Sequence, residues 1–169
     1  MINSKKSFTL VELIVSLVLL GIFSWIGISV MFTGVDIWGF FSQRKEILAD
    51  ARMSIDRMSR EIRMIKNNTS VTTADSSVFR FTDINNNDII FVLSSGLINR
   101  TENGVTNGLL SDVTGLTFTY YDSNGSVIAS PLVSPSQTNI RRVRIDITLS
   151  KGASQAVNLR IDAWPRSLK

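Results

Sequence analysis

Apolar and polar positions divide the chain into three stretches with different periods. From Phe8 to Val35 there is no period: 28 residues are apolar, small or uncharged, and Glu12 is the one formal charge among them. A helix needs roughly 20 such residues to cross a hydrocarbon core of about 30 Å, so the pattern predicts a membrane-spanning helix over 8–35. A secretory signal would show an apolar region of about 7–15 residues and then a small-x-small cleavage site, and this stretch has neither.

In the second stretch, Leu48, Ala51, Ile55, Met58, Ile62 and Ile65 recur at steps of three and four. That is a helical stripe. Polar residues fill its other faces, and Asp56 with Arg60 makes an i,i+4 pair of the favoured polarity. The helix is therefore predicted to continue amphipathically through 36–66. Gly34 and Gly39, each about 1 kcal/mol worse than Ala in a helix interior, are expected points of bending. "NNTS" at Asn67–Ser70 is expected to stop the helix.

Residues 67–169 change to short runs rich in β-branched and aromatic residues. Strands are predicted at Val78–Phe81, Asp88–Leu93, Gly115–Asp122, Arg142–Leu149 and Val157–Trp164. In the fourth, Val143, Ile145, Ile147 and Leu149 share one face, while Arg142, Arg144, Asp146 and Thr148 share the other. Such alternation marks a sheet covered on one side, and the helical stripe is the expected cover. "INNND" and "DSNG" read as turns, the second making a hairpin into "SVIA". Thr101–Ser111 and "SPLVSPS" read as loops. The fold class is α+β: a long N-terminal helix, half transmembrane and half amphipathic, packed on an antiparallel β-sheet head.

Composition narrows the chemistry. With 169 residues, one core plus an extension is expected. The chain has no Cys and no His, which removes disulfides, Cys nucleophiles, His-based triads and His- or Cys-ligated metals. No phosphate loop, GxGxxG or GxSxG is present, so no enzymatic activity and no cofactor are expected. The net charge of +4 includes Lys5 and Lys6 and is spread thinly over the remainder, a weak basis for nucleic acid as a partner. Arg141, Arg142 and Arg144, with Tyr120 and Tyr121 nearby in sequence, could form a backbone-tracking surface. A solvated strand face is the favoured reading. "DINNND" brings Asp83, Asn85, Asn87 and Asp88 together like the start of a calcium loop, but it lacks the Gly at position six and the Glu at position twelve. It is read as a polar hairpin turn, and no metal is expected.

Glu12 is the residue that the membrane reading does not absorb. A carboxylate at mid-membrane costs about 2.5–3.5 kcal/mol, and less near an interface. Snorkelling towards headgroups is one account. The letters around it supply another. A short basic leader, a small residue at Ser7, then "FTLVEL" opening a long apolar helix resemble the prepilin amino terminus of type IV pilins and the pseudopilins of type II secretion. The resemblance implies that a prepilin peptidase removes residues 1–7, cutting between Ser7 and Phe8, and methylates the new amine of Phe8. It implies that Glu12 serves subunit assembly by meeting the terminal amine of a neighbouring copy. Opposite charges attract far more strongly in low dielectric than in water. The family usually has Gly before the cut, where this chain has Ser7.

Lys5 and Lys6 keep the amino end cytoplasmic by the positive-inside rule, so everything after about Asp36 is expected outside the inner membrane. "RMSREIRMI", "VTGLTFTYYDSNGS" and "RRVRIDITL", in that order, resemble the J-type minor pseudopilin and the related W-type minor pilin. That implies a structural subunit near the tip of a pseudopilus or pilus. Other pilin or pseudopilin subunits, the prepilin peptidase and an inner-membrane assembly platform are the implied partners. The alternative is a single-pass, membrane-anchored binding module outside the cytoplasm that does not polymerise.

Overall fold

A computed structural model describes residues 9–132, 139–150 and 156–168, apart from the side chains of residues 36, 37, 39–44 and 46. One helix, α1, covers Leu10–Arg63, and its helical assignment is unbroken at Gly34 and Gly39. Backbone proximity divides the chain into two compact units, Met1–Lys45 and Glu46–Lys169.

In the second unit the end of α1 presents the expected stripe. Ala51, Ile55, Met58 and Ile62, with Ile65 just beyond the helix, are buried in the core, and Leu48 is half-buried. The last turn tightens, with the Met64 and Ile65 N–H groups donating to the carbonyls of Glu61 and Ile62. Bonds of this i→i+3 type satisfy carbonyls that a helix end otherwise leaves open. "NNTS" then stops the helix. Asn67 caps a short 3₁₀ turn over Asn68–Ser70, its side-chain oxygen accepting from the Thr69 N–H at 3.1 Å and the Ser70 hydroxyl at 2.7 Å.

Nine strands follow among the described residues: β1 Val71–Ala74, β2 Val78–Thr82, β3 Asp88–Ser94, β4 Leu97–Glu102, β5 Val105–Leu110, β6 Val113–Tyr121, β7 Val127–Ile128, β8 Arg142–Leu149 and β9 Val157–Ala163. The antiparallel head is built as two sheets. One is the meander β1-β2-β3-β4-β5 and the other has the order β7-β6-β8-β9. The fold is α+β, with the long helix leading into antiparallel sheets. Aromatic rings join the two layers: Phe79 of β2 lies 5.6 Å from Phe118 and 5.5 Å from Tyr120, both on β6. All three are essentially buried, each worth roughly 1.5–3 kcal/mol of transfer free energy. The Tyr120 hydroxyl also donates to the Asp75 carbonyl at 2.6 Å.

The alternation read in β8 holds, with Val143, Ile145, Ile147 and Leu149 buried and the intervening residues half-buried. The "DSNG" hairpin joins β6 to β7. Asp122 accepts from the N–H groups of Asn124 and Ser126, and Gly125 supplies the positive φ of 79° that the turn requires.

Two expectations need correction. Thr101–Ser111 is not a loop, because β4 and β5 pair across it from Ile98↔Leu110 to Glu102↔Val105. In β4 the inward alternation places Ile98 and then Arg100 in the interior. β5 is an edge strand whose first four residues are exposed. Neither offers the apolar alternation that marks a half-buried strand. Among the described side chains the ion pair within the helix is Arg57 with Glu61 (3.0 Å), one position beyond the expected Asp56 and Arg60 and in the opposite order. The described part of the "SPLVSPS" loop, residues 130–132, lies outside every strand, with Leu132 buried and bridging Ala74, and residues 133–136 lie outside the described residues.

Candidate functional site

The sequence places its site at the start of α1. Ser7 and Phe8 lie outside the described residues, so the geometry begins at Thr9. The Thr9 carbonyl accepts the first helical bond from the Leu13 N–H at 3.2 Å, and its hydroxyl oxygen accepts from the Glu12 N–H at 3.3 Å. Thr9 is thus the N-cap and Glu12 the third helical residue, an arrangement that neutralises one of the open donors of the first turn. The Thr-x-x-Glu spacing was the signal for this cap, and the charge argument passed over it. A carboxylate in the first turn is also favoured by the positive end of the helix dipole.

Between Glu12 and Val35 the helix offers almost nothing polar to its surroundings. Leu10–Val35 has a mean hydropathy of 2.5, and none of it is buried among the described residues. The hydroxyls of Ser16, Ser24 and Thr33 fold back onto the carbonyls of Glu12, Leu20 and Ser29 at 2.7, 2.7 and 3.0 Å. Satisfying polar groups within the helix is what hydrocarbon demands, since it offers no partner of its own.

The other candidate constellations are already occupied. The Asp83 carboxylate, 3% exposed, accepts the backbone N–H groups of Asn85 and Asn87 at 2.9 and 2.8 Å and the Asn87 amide at 3.2 Å. Asp88 receives two bonds from Arg80, each 2.9 Å. These carboxylates therefore stitch the β2–β3 turn. Arg142 and Arg144 reach across to Asp162 on β9, at 3.2 and 2.8 Å, and lie over the Tyr121 ring at 3.8 and 5.1 Å. The hydrogen bond from Arg144 holds the Asp162 carboxyl below the usual aspartate range, against the opposing effect of partial burial. Tyr120 is wholly buried, and burial pushes its hydroxyl pKa well up. The two tyrosines therefore do not form a stacking platform with these arginines.

Residues 2–28 match the family model of the prokaryotic N-terminal methylation motif. The chain opens on the prepilin cleavage and methylation motif of type IV pilin-like proteins. No curated protein matches the chain. The motif match ends inside the apolar helix and does not extend to the head. A prepilin-type motif points to a structural subunit rather than an enzyme, one processed by prepilin peptidase and assembled with other pilin subunits. The bare apolar helix fits single-pass membrane anchoring.

Proposed function

We propose that the chain is a minor pseudopilin or minor pilin, a structural subunit of a type II secretion pseudopilus or a type IV pilus, sited near the filament tip. The observation that carries this reading is an apolar helix that none of the described residues covers, opening on the Thr9 cap with the Glu12 carboxylate in its first turn, inside a prepilin motif. A bare helix of this kind needs lipid before assembly and other helices after it.

In this reading the leader 1–7 is removed between Ser7 and Phe8, and the Phe8 amine is methylated. The helix 8–35 anchors the subunit with its amino end cytoplasmic, 36–66 continues it, and 67–169 is displayed outside. Glu12 then meets the Phe8 amine of a neighbouring subunit. Each copy supplies one charge of each sign, and breaking the pair would leave a charge unpaired in an apolar filament core, which is costly. An assembly platform in the inner membrane is the remaining partner.

The test is Glu12→Leu in cells, with helix insertion and leader removal followed alongside assembly. The variant should be inserted and cleaved, and should be lost from the assembled filament. If Glu12→Leu assembles and supports transport as the unchanged chain does, a membrane-anchored binding module that does not polymerise becomes the better account. Intact-mass measurement on assembled material should show residues 1–7 absent and one methyl group on Phe8. Retention of Met1 would overturn the cleavage site.

A further inference from the structure

Three segments meet around a cleft of about 890 Å³ at the C-terminal end of α1. The last two turns of the helix bring Arg57, Arg60 and Arg63, the turn after β2 brings Ile84, and the C-terminal segment brings Arg166. Main-chain bonds fix these walls. The Ile84 N–H donates to the Met64 carbonyl at 2.9 Å, and the Arg166 N–H donates to the Arg63 carbonyl at 3.3 Å. The Ser167 hydroxyl donates to the Ile65 carbonyl.

The charge in this cleft is one-sided. Among the described residues its single acid is Glu61, which is buried and held from the sheet side by Arg100, with Arg57 sharing one of its oxygens. Arg60, Arg63 and Arg166 are exposed, and among the described residues none has a carboxylate within ion-pair distance. The apolar part of the lining is also open to water, with Ile84 56% and Met64 37% exposed. A single exposed arginine or isoleucine is ordinary. Here unpaired guanidiniums from chain segments about a hundred positions apart converge on an exposed apolar floor.

We propose that this cleft docks an extended segment of a partner protein in which carboxylates flank an apolar side chain. Guanidinium groups bind carboxylates in two-pronged fashion, and the Met64 and Ile84 floor would take the apolar side chain between them. Nucleic acid is the weaker fit, because no aromatic side chain lines the cleft for base stacking. A planar anionic membrane surface does not match a concavity. The inference is independent of the filament reading, since a binding module would use the cleft in the same way.

The test uses the full chain in uncharged detergent micelles and fluorescence anisotropy with four probes. These are a labelled peptide alternating Glu and Leu, a labelled Glu–Ser peptide of equal charge, a labelled short DNA duplex, and labelled glycerophosphoglycerol, the soluble headgroup of phosphatidylglycerol. The Glu–Leu peptide should bind tightest and weaken as salt is raised. Arg60→Glu with Arg63→Glu should lower its affinity roughly tenfold or more, on the scale of one charge-assisted pair. Arg60→Gln with Arg63→Gln is the gentler version should charge reversal disturb the helix end. Arg52→Glu, a single charge reversal at an exposed position on α1 outside the cleft, should leave affinity unchanged, whereas Arg60→Glu alone should weaken it. Ile84→Ser should remove the preference for Glu–Leu over Glu–Ser. The proposal is overturned if no peptide binds at low salt, if the two peptides bind equally, or if Arg52→Glu weakens binding as much as the cleft variants. It is likewise overturned if the duplex or the lipid headgroup, and not the peptide, responds to the cleft substitutions.

Discussion

Replacing Arg100 with Met should destabilise the head by about 3 kcal/mol, and the structure shows why the figure is not larger or smaller. The Arg100 Nε lies 2.8 and 2.7 Å from the two oxygens of Glu61, and its Nη1 lies 2.9 Å from Glu102. The Arg100 and Glu61 side chains are 8% and 9% exposed, so removing the guanidinium strands a carboxylate with little water. Breaking such a buried pair from one side costs about 3–5 kcal/mol. The low end applies because Arg57, 49% exposed, keeps its 3.0 Å contact with Glu61. Desolvation lowers the Arg100 pKa, but hydrogen bonds to Glu102 and Glu61 outweigh it and the net direction is upward. The guanidinium therefore stays charged at any working pH. Glu61→Met leaves Arg100 to Glu102 alone and should cost about 2 kcal/mol. The double variant makes the site apolar and frees Arg57 and Glu102, both at the rim, to turn to water. It should lose only about 1 kcal/mol, so the two single effects should fall short of additivity by about 4 kcal/mol. Urea unfolding of the full chain in detergent micelles, followed by near-UV circular dichroism of the buried aromatic residues, measures all four proteins. Additivity within about 0.5 kcal/mol would show that the buried contact carries no coupling and would refute the reasoning.

Three further outcomes follow from the same packing. Asp162→Asn should cost about 1–2 kcal/mol near neutral pH. Because the folded carboxyl titrates below its unfolded value, the wild-type advantage should be full above about pH 5 and shrink as pH falls through and below the ordinary aspartate range; an advantage that grows with acid would contradict the assignment. Asp83→Ala orphans three N–H donors of the β2–β3 turn and should cost about 2–3 kcal/mol, with Asp83→Asn milder, as read from urea midpoints. Tyr120→Phe deprives the Asp75 carbonyl of its donor while keeping the ring, so a loss of about 1 kcal/mol at unchanged urea dependence is expected; a loss above about 3 kcal/mol would mean the ring itself had moved.

The strands read most closely, β2, β3 and β8, have apolar inward positions at every second residue. β8 alternates perfectly, β2 and β3 nearly so, and each was located to within a residue or so. β4 hid because one of its inward positions is an arginine, and an arginine faces inward only where a buried acid waits for it. That acid, Glu61, sits 39 residues earlier on the helix, and no local window contains both. β5 hid for a different reason. It is an edge strand whose first four residues face solvent, and only Leu109 and Leu110 at its end carry burial, too few to write an alternation. The division of the head into two sheets was likewise unreadable, since strand signals give elements and not their partners.

The amino-terminal motif, the apolar helix and the stripe on α1 were determined by the sequence alone. Lipid and the strand-and-helix periods respond to neighbours along the chain, so the order of letters is the whole of the information. Tertiary structure decided the inward Arg100, the two-sheet core and the meeting of Arg60, Arg63, Ile84 and Arg166 in one cleft. These depend on distances between residues far apart in the chain, and those distances are set only when the core closes.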